Sequence, residues 1–95
     1  MSLTLLPQEI YPGDPSYCFE NNICYTQGFA ETFKNTKKEI VISALKLINE
    51  IEGPVDYLQV FLYDKIKFFV ISTQPKNQVF DKNEHYVTFL LPEEY

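Results

Sequence analysis

Any chemistry this chain performs must come from a short set of side chains. His85 is its one imidazole, Cys18 and Cys24 are its two thiols, and Ser2, Ser16, Ser43 and Ser72 are its serines. A histidine works as a general acid–base only beside an activating partner in a cleft. In a strand, His85 shares a face with Val87, Phe89 and Leu91 and reads as a structural histidine. The serines lack any nucleophile-elbow context. Cys18 and Cys24 are spaced too widely for a redox Cys-x-x-Cys pair, and no second pair or neighbouring histidine completes a zinc site. A disulfide closing the Cys18–Cys24 segment is geometrically feasible; with no secretory signal, two reduced thiols are the expectation. Glycines 13, 28 and 53 are scattered and build no phosphate-cradling loop. Glu50, Glu52 and Asp56 gather near a helix end, yet Glu50 and Glu52 project to different faces, whereas an oxygen-ligand cage needs converging groups. Lys34, Lys37 and Lys38 read as a solvated helix entrance rather than an anion site. The expectation is a non-enzyme with no catalytic residue, no cofactor and no metal.

The elements that carry these residues are easier to read. Thr36-Lys37-Lys38-Glu39 has the form of a capping box. Beyond it Ile40, Val41, Ala44, Leu45, Leu47, Ile48 and Ile51 fall on one side at 3.6 residues per turn, with Glu39, Ser43, Lys46, Asn49 and Glu50 on the other. Gly53 and Pro54 supply the stop. The spacing predicts a helix from about Lys37 to Glu52 with an apolar arc wide enough to pack on a sheet. Only Ile42 falls outside that arc.

Four strands are predicted around the helix. Residues Ile23 to Ala30 alternate, with Gly28 as a bulge or close approach. Val55 to Tyr63 is apolar on both faces, as a central strand is. Asp64-Lys65 makes a two-residue turn into Ile66 to Thr73. Residues 74–83 form a polar loop with Val79 and Phe80 turned inward, and Glu84 to Leu91 is the last strand before an acidic tail. Residues 1–22, punctuated by Pro7, Pro12, Gly13 and Pro15, read as an irregular arm anchored by Tyr11, Tyr17 and Phe19. The remainder, 23–95, reads as a single α+β domain. Its order is β-α-β-β-β, a mostly antiparallel four-stranded sheet with one amphipathic helix on one face, or one in which a crossover makes the first strand parallel to a neighbour.

Composition narrows the partners. The 95 residues have no arginine and a net charge of −5, which disfavours nucleic acid and anionic membranes. Arginine is the usual bidentate reader of guanine and phosphate, so its absence argues further against DNA reading. Aromatics on a sheet can stack unpaired bases, but the basic groove that accompanies such stacking is missing. No apolar run approaches the length of a membrane span, and the opening residues lack a signal-peptide pattern, so a cytoplasmic protein is expected.

Several short stretches share an order found elsewhere: Tyr25-Thr26-Gln27-Gly28-Phe29, then Asp56-Tyr57-Leu58-Gln59-Val60-Phe61 after a helix and a proline-containing link, then Thr73-Gln74-Pro75 and Glu84-His85-Tyr86-Val87. This order resembles the small Firmicute and staphylococcal family known as domain of unknown function 960, over about residues 22 to 90. The chain departs from the family pattern at Gln27, where a basic residue is usual, and in its extra N-terminal segment. The resemblance implies a low-GC bacterial or phage origin and carries no assigned activity.

The functional expectation is a protein-interaction or accessory domain that forms a homo-oligomer through spare apolar sheet surface. Tyr57, Gln59, Phe61 and Tyr63 are the candidate surface, with Ile42 as an outlier. The alternative is an acidic, phage- or plasmid-borne inhibitor that occupies a basic site on a host protein. A small ligand held between helix and sheet is a third reading.

Overall fold

A computed structural model describes residues 3–20, 22–75 and 85–95. The predicted inward turn of Val79 and Phe80 lies outside the described residues. The described residues form an α+β domain in which five strands make one mixed sheet: β1 (Leu3–Leu5), β2 (Asn22–Tyr25), β3 (Leu58–Tyr63), β4 (Ile66–Ser72) and β5 (Tyr86–Leu90). Their order across the sheet is β1-β3-β4-β5-β2. Three of the four pairings are antiparallel, and β2 lies parallel to β5. The first strand after the arm is therefore the parallel edge strand.

Two helices cover one face: α1 (Gln27–Thr32) and α2 (Lys37–Asn49). Helix α2 starts where its sequence signals place it and ends three residues earlier than predicted. Ile40, Ala44 and Ile48, spaced four apart, are buried, with Val41, Leu45, Leu47 and Ile51 packed beside them. Gly53 takes φ +84, the left-handed region open to glycine without a Cβ penalty. The Thr36 side chain makes no cap hydrogen bond. The capping box thus marks the start of the helix without forming its reciprocal bonds.

Two corrections concern the first third of the chain. Within the predicted arm, Leu3–Leu5 pairs antiparallel with β3. The predicted strand Ile23 to Ala30 breaks in its middle, because the Thr26 side chain caps the Phe29 amide and starts α1. A helix there brings Phe29 and Phe33, four apart, onto one side, with ring centroids 4.9 Å apart. Gly28 is accordingly a helical residue and not a strand bulge.

Below α1 and α2 the core is aromatic. Phe29 from α1 meets Phe68 of β4 at 5.2 Å and Phe89 of β5 at 5.4 Å. Phe61 of β3 stacks on Phe68 at 5.2 Å with an interplanar angle of 7°. Offset and edge-on ring pairs of this kind add to the burial of their area. The ring at the helix junction, Phe33, closes the cluster against Tyr63 and Phe68. Among the described residues, no helix is long and apolar enough to cross a membrane.

Candidate functional site

The candidate surface residues are divided by the pleat of β3. Gln59, Phe61 and Tyr63 point to the helix side: Gln59 is 1% exposed, Phe61 is 0% exposed and Tyr63 packs on the core. Gln59 and Phe61 are core residues and Tyr63 is half-buried against the core, which corrects the expectation of an interaction surface at these positions. The physical reason is alternation on a strand apolar on both faces, where the sequence does not say which face the helices take. Tyr57 is 39% exposed, and Ile42 is 59% exposed on the outer side of α2.

The opposite face belongs to the other half of the pleat. Leu58, Val60 and Leu62 of β3 pair with Ile71, Phe69 and Lys67 of β4. All but the exposed Lys67 are half-buried. Among the described residues, no helix lies over them. The chain's end covers part of this face: after the 3-10 turn at Pro92–Glu94, the Tyr95 ring meets Phe69 edge-on at 5.6 Å. Its hydroxyl lies 3.3 Å from that of Tyr57. This contact, with the negative charge of Asp56 among the lesser causes, holds the Tyr57 phenol above its ordinary pKa.

Beside this strip a groove of about 440 Å³ opens between the arm and the start of β3. Pro7, Gln8, Glu9, Tyr11 and Asp14 form one wall; Asp56, Tyr57, Leu58 and Val60 form the other. The arm is held there by hydrogen bonds. The Leu6 amide donates to the Val60 carbonyl at 2.9 Å, extending the β1 pairing. Gln8 acts as a strap: its Nε2 donates to the Pro54 carbonyl at 2.9 Å, and its Oε1 accepts from the Asp56 amide and from Gln59 Nε2, both at 2.8 Å. Gln59 Nε2 also donates to the Asp56 carbonyl at 2.9 Å, while Gln59 Oε1 is buried with no donor among the described residues. The Tyr11 amide donates to Asp14 Oδ2 at 2.8 Å, and Gly13 turns the chain at φ +92.

The electrostatics of the groove are one-sided. Burial raises the Asp56 pKa; amide donors from Tyr57 and Leu58 partly offset this, and the charges of Asp14 and Glu9 push it further up. No lysine is among the described residues that line the groove. Asp56 thus joins Asp14 and Glu9, and not the helix-end acids beside which it stands in sequence.

The other residues with chemical potential are occupied structurally. Cys18 and Cys24 are free thiols, and Cys24 Sγ lies 3.3 Å from Thr88 Oγ1 across the β2–β5 pair. His85 Nδ1 lies 3.1 Å from Thr73 Oγ1. Lys37, of the predicted lysine cluster, sits 4.5 Å over the Tyr25 ring. Glu94 is a clip and not a loose acidic tail. Its carboxylate accepts from the Thr26 hydroxyl at 2.5 Å, from the Leu91 amide at 2.9 Å and from the Gly28 amide at 3.2 Å. These donors, the Thr26 hydroxyl first, lower its pKa. A Cβ on Gly28 would meet this carboxylate at 2.7 Å.

Sequence reasoning missed the groove because its walls lie some forty-five residues apart in the chain. The nearest signal was the proline- and glycine-broken run ending at Asp14, carrying Glu9 and Tyr11, which reads only as a loop. Comparison with protein-family models, with curated proteins and with solved structures finds no match.

Proposed function

We propose that this chain is a non-enzymatic interaction domain that docks another protein on the sheet face opposite its helices. One observation carries the reading: Leu58, Val60, Leu62 and Ile71 form a half-exposed aliphatic strip that runs into a groove rimmed by carboxylates. Apolar strips with polar rims are the usual anatomy of association surfaces. The charge of that rim favours a basic partner, since two copies of a chain with net charge −5 bring like charges together. This reading unites the accessory-domain and acidic-inhibitor expectations and sets self-association second.

Selection of random peptides on the immobilised domain tests it. Enriched peptides should lose binding to the Leu62→Ser and Ile71→Ser variants, with folding checked by circular dichroism. Peptides indifferent to both changes, or no enrichment at all, would sink the reading. Light scattering coupled to size exclusion separates the second reading, because a stable dimer at low and high salt would assign the strip to a second copy.

A further inference from the structure

The groove beside the strip has a chemistry more specific than that of an apolar surface. Its aliphatic lining comes from Pro7, Leu58 and Val60. Its rim carries three carboxylates, Glu9, Asp14 and Asp56, drawn from two distant segments of the chain. Two tyrosine rings flank them, Tyr11 at 68% and Tyr57 at 39% exposure. Carboxylates and exposed tyrosines that line one groove suit an organic cation, which is attracted by both. The chain contains the same pairing internally, in Lys37 over Tyr25 at 4.5 Å.

A metal ion is a poorer match for this arrangement. Among the described residues, no three Asp, Glu, His or Cys side chains come close enough to hold one. Carboxylates spread along a rim instead suit the several donors of an ammonium or guanidinium group at the end of a long stem. The volume of about 440 Å³ falls in the range of ordinary binding pockets. An aliphatic stem can lie along Leu58 and Val60 while its charged end stays at the rim.

Resting on the docking reading above, we infer that this groove receives one lysine or arginine side chain of the docked protein, with a flanking apolar residue against Leu58 and Val60. The carboxylates then have an energetic role: a partly desolvated Asp56 near two like charges gains more from an arriving cation than a fully solvated one does.

The test titrates the isotope-labelled protein with a hexapeptide bearing lysine between leucines, and with the same peptide bearing glutamate. The lysine peptide should shift the amide resonances of Tyr11, Asp56, Tyr57 and Leu58, and the glutamate peptide should not. The double variant Asp14→Asn, Asp56→Asn should weaken binding at least about tenfold, which corresponds to about 1.4 kcal/mol. Glu20→Gln removes one charge outside the groove and should leave binding unchanged. Equal binding of the two peptides, an unaltered double variant, equal loss in Glu20→Gln, or no binding of the lysine peptide would each overturn the inference. Peptides from the random selection keep the two readings apart. Sensitivity to Ile71→Ser without sensitivity to the asparagine pair leaves the docking face standing and removes the cation site.

Discussion

Phe68 and Phe69 are adjacent on β4 and live in different surroundings. Phe68 is fully buried and touches rings from α1, β3 and β5. Phe69 faces the other side, half-buried, with the terminal Tyr95 against it. One residue type on one strand thus closes a core on one side and lines a half-buried strip on the other. What separates them is what the described residues lay over each face: two helices in one case, a 3-10 turn and one ring in the other. The carboxylates follow the same division. Glu94 is met by donors from its own chain and has a lowered pKa, whereas burial first, and the charges of Asp14 and Glu9 after it, raise that of Asp56.

Truncation is the strongest way to break this contrast. Phe29→Ala empties the point where four other rings converge, three of them buried, and should cost about 3–5 kcal/mol in urea unfolding. Phe69→Ala should cost less than half as much. Equal costs would mean that the second face is core and not a docking surface. Gln8→Ala removes the strap that joins the arm to residues 54–59 and should cost about 1–3 kcal/mol, since it strands the part-buried Asp56 amide and loosens the buried Gln59. A smaller loss would show that the groove wall stands without it.

The pH dependence of stability sharpens the comparison, because the two carboxylates act in opposite directions. Glu94 has its folded pKa below its ordinary 4.5. Its contribution is present above that value and fades as pH falls through the folded pKa. Asp56 has its folded pKa above its ordinary 3.8, so the folded state takes up a proton first, and stability from this group is lost as pH rises through the folded pKa. Acid titration of the unfolding free energy should therefore lose the low-pH decline in Glu94→Gln and lose the opposing rise in Asp56→Asn. Unchanged profiles would show that neither group is perturbed. The smallest effect is expected at the β3–β4 turn. Asp64 has φ +56, and Asp64→Gly should raise stability by about 0.5 kcal/mol, read as a small rise in Tm.

The sequence made α2 and the three later strands legible because each signal was local. Helix spacing, a stop at Gly53 and alternation in 58–63, 66–72 and 86–90 all lie within one element. Three things were hidden. Helix α1 was masked because Ile23 to Ala30 alternates as a strand would, while the competing cue, Thr26 three residues before Phe29, is a single side chain. The choice of face on β3 was hidden because Gln59, the one polar residue of its run before Tyr63, is buried: the Gln8 strap satisfies its amide nitrogen, which polarity alone cannot foresee. The groove was hidden because tertiary contact between residues 7–14 and 56–60 creates it. Polarity patterns report burial within an element and say nothing of which loops converge.

The order β1-β3-β4-β5-β2 places the first two strands of the chain on opposite outer edges of the sheet. Neither can add to anything until its partner exists: β1 needs β3, and β2 needs β5, more than sixty residues downstream. Both margins of the sheet are therefore closed by pairings distant in sequence, Leu3 with Tyr63 and Asn22 with Tyr86, each of which carries a loop-closure cost. The β3–β4 hairpin at the centre is the local pairing of the sheet, and its margins are the long-range ones.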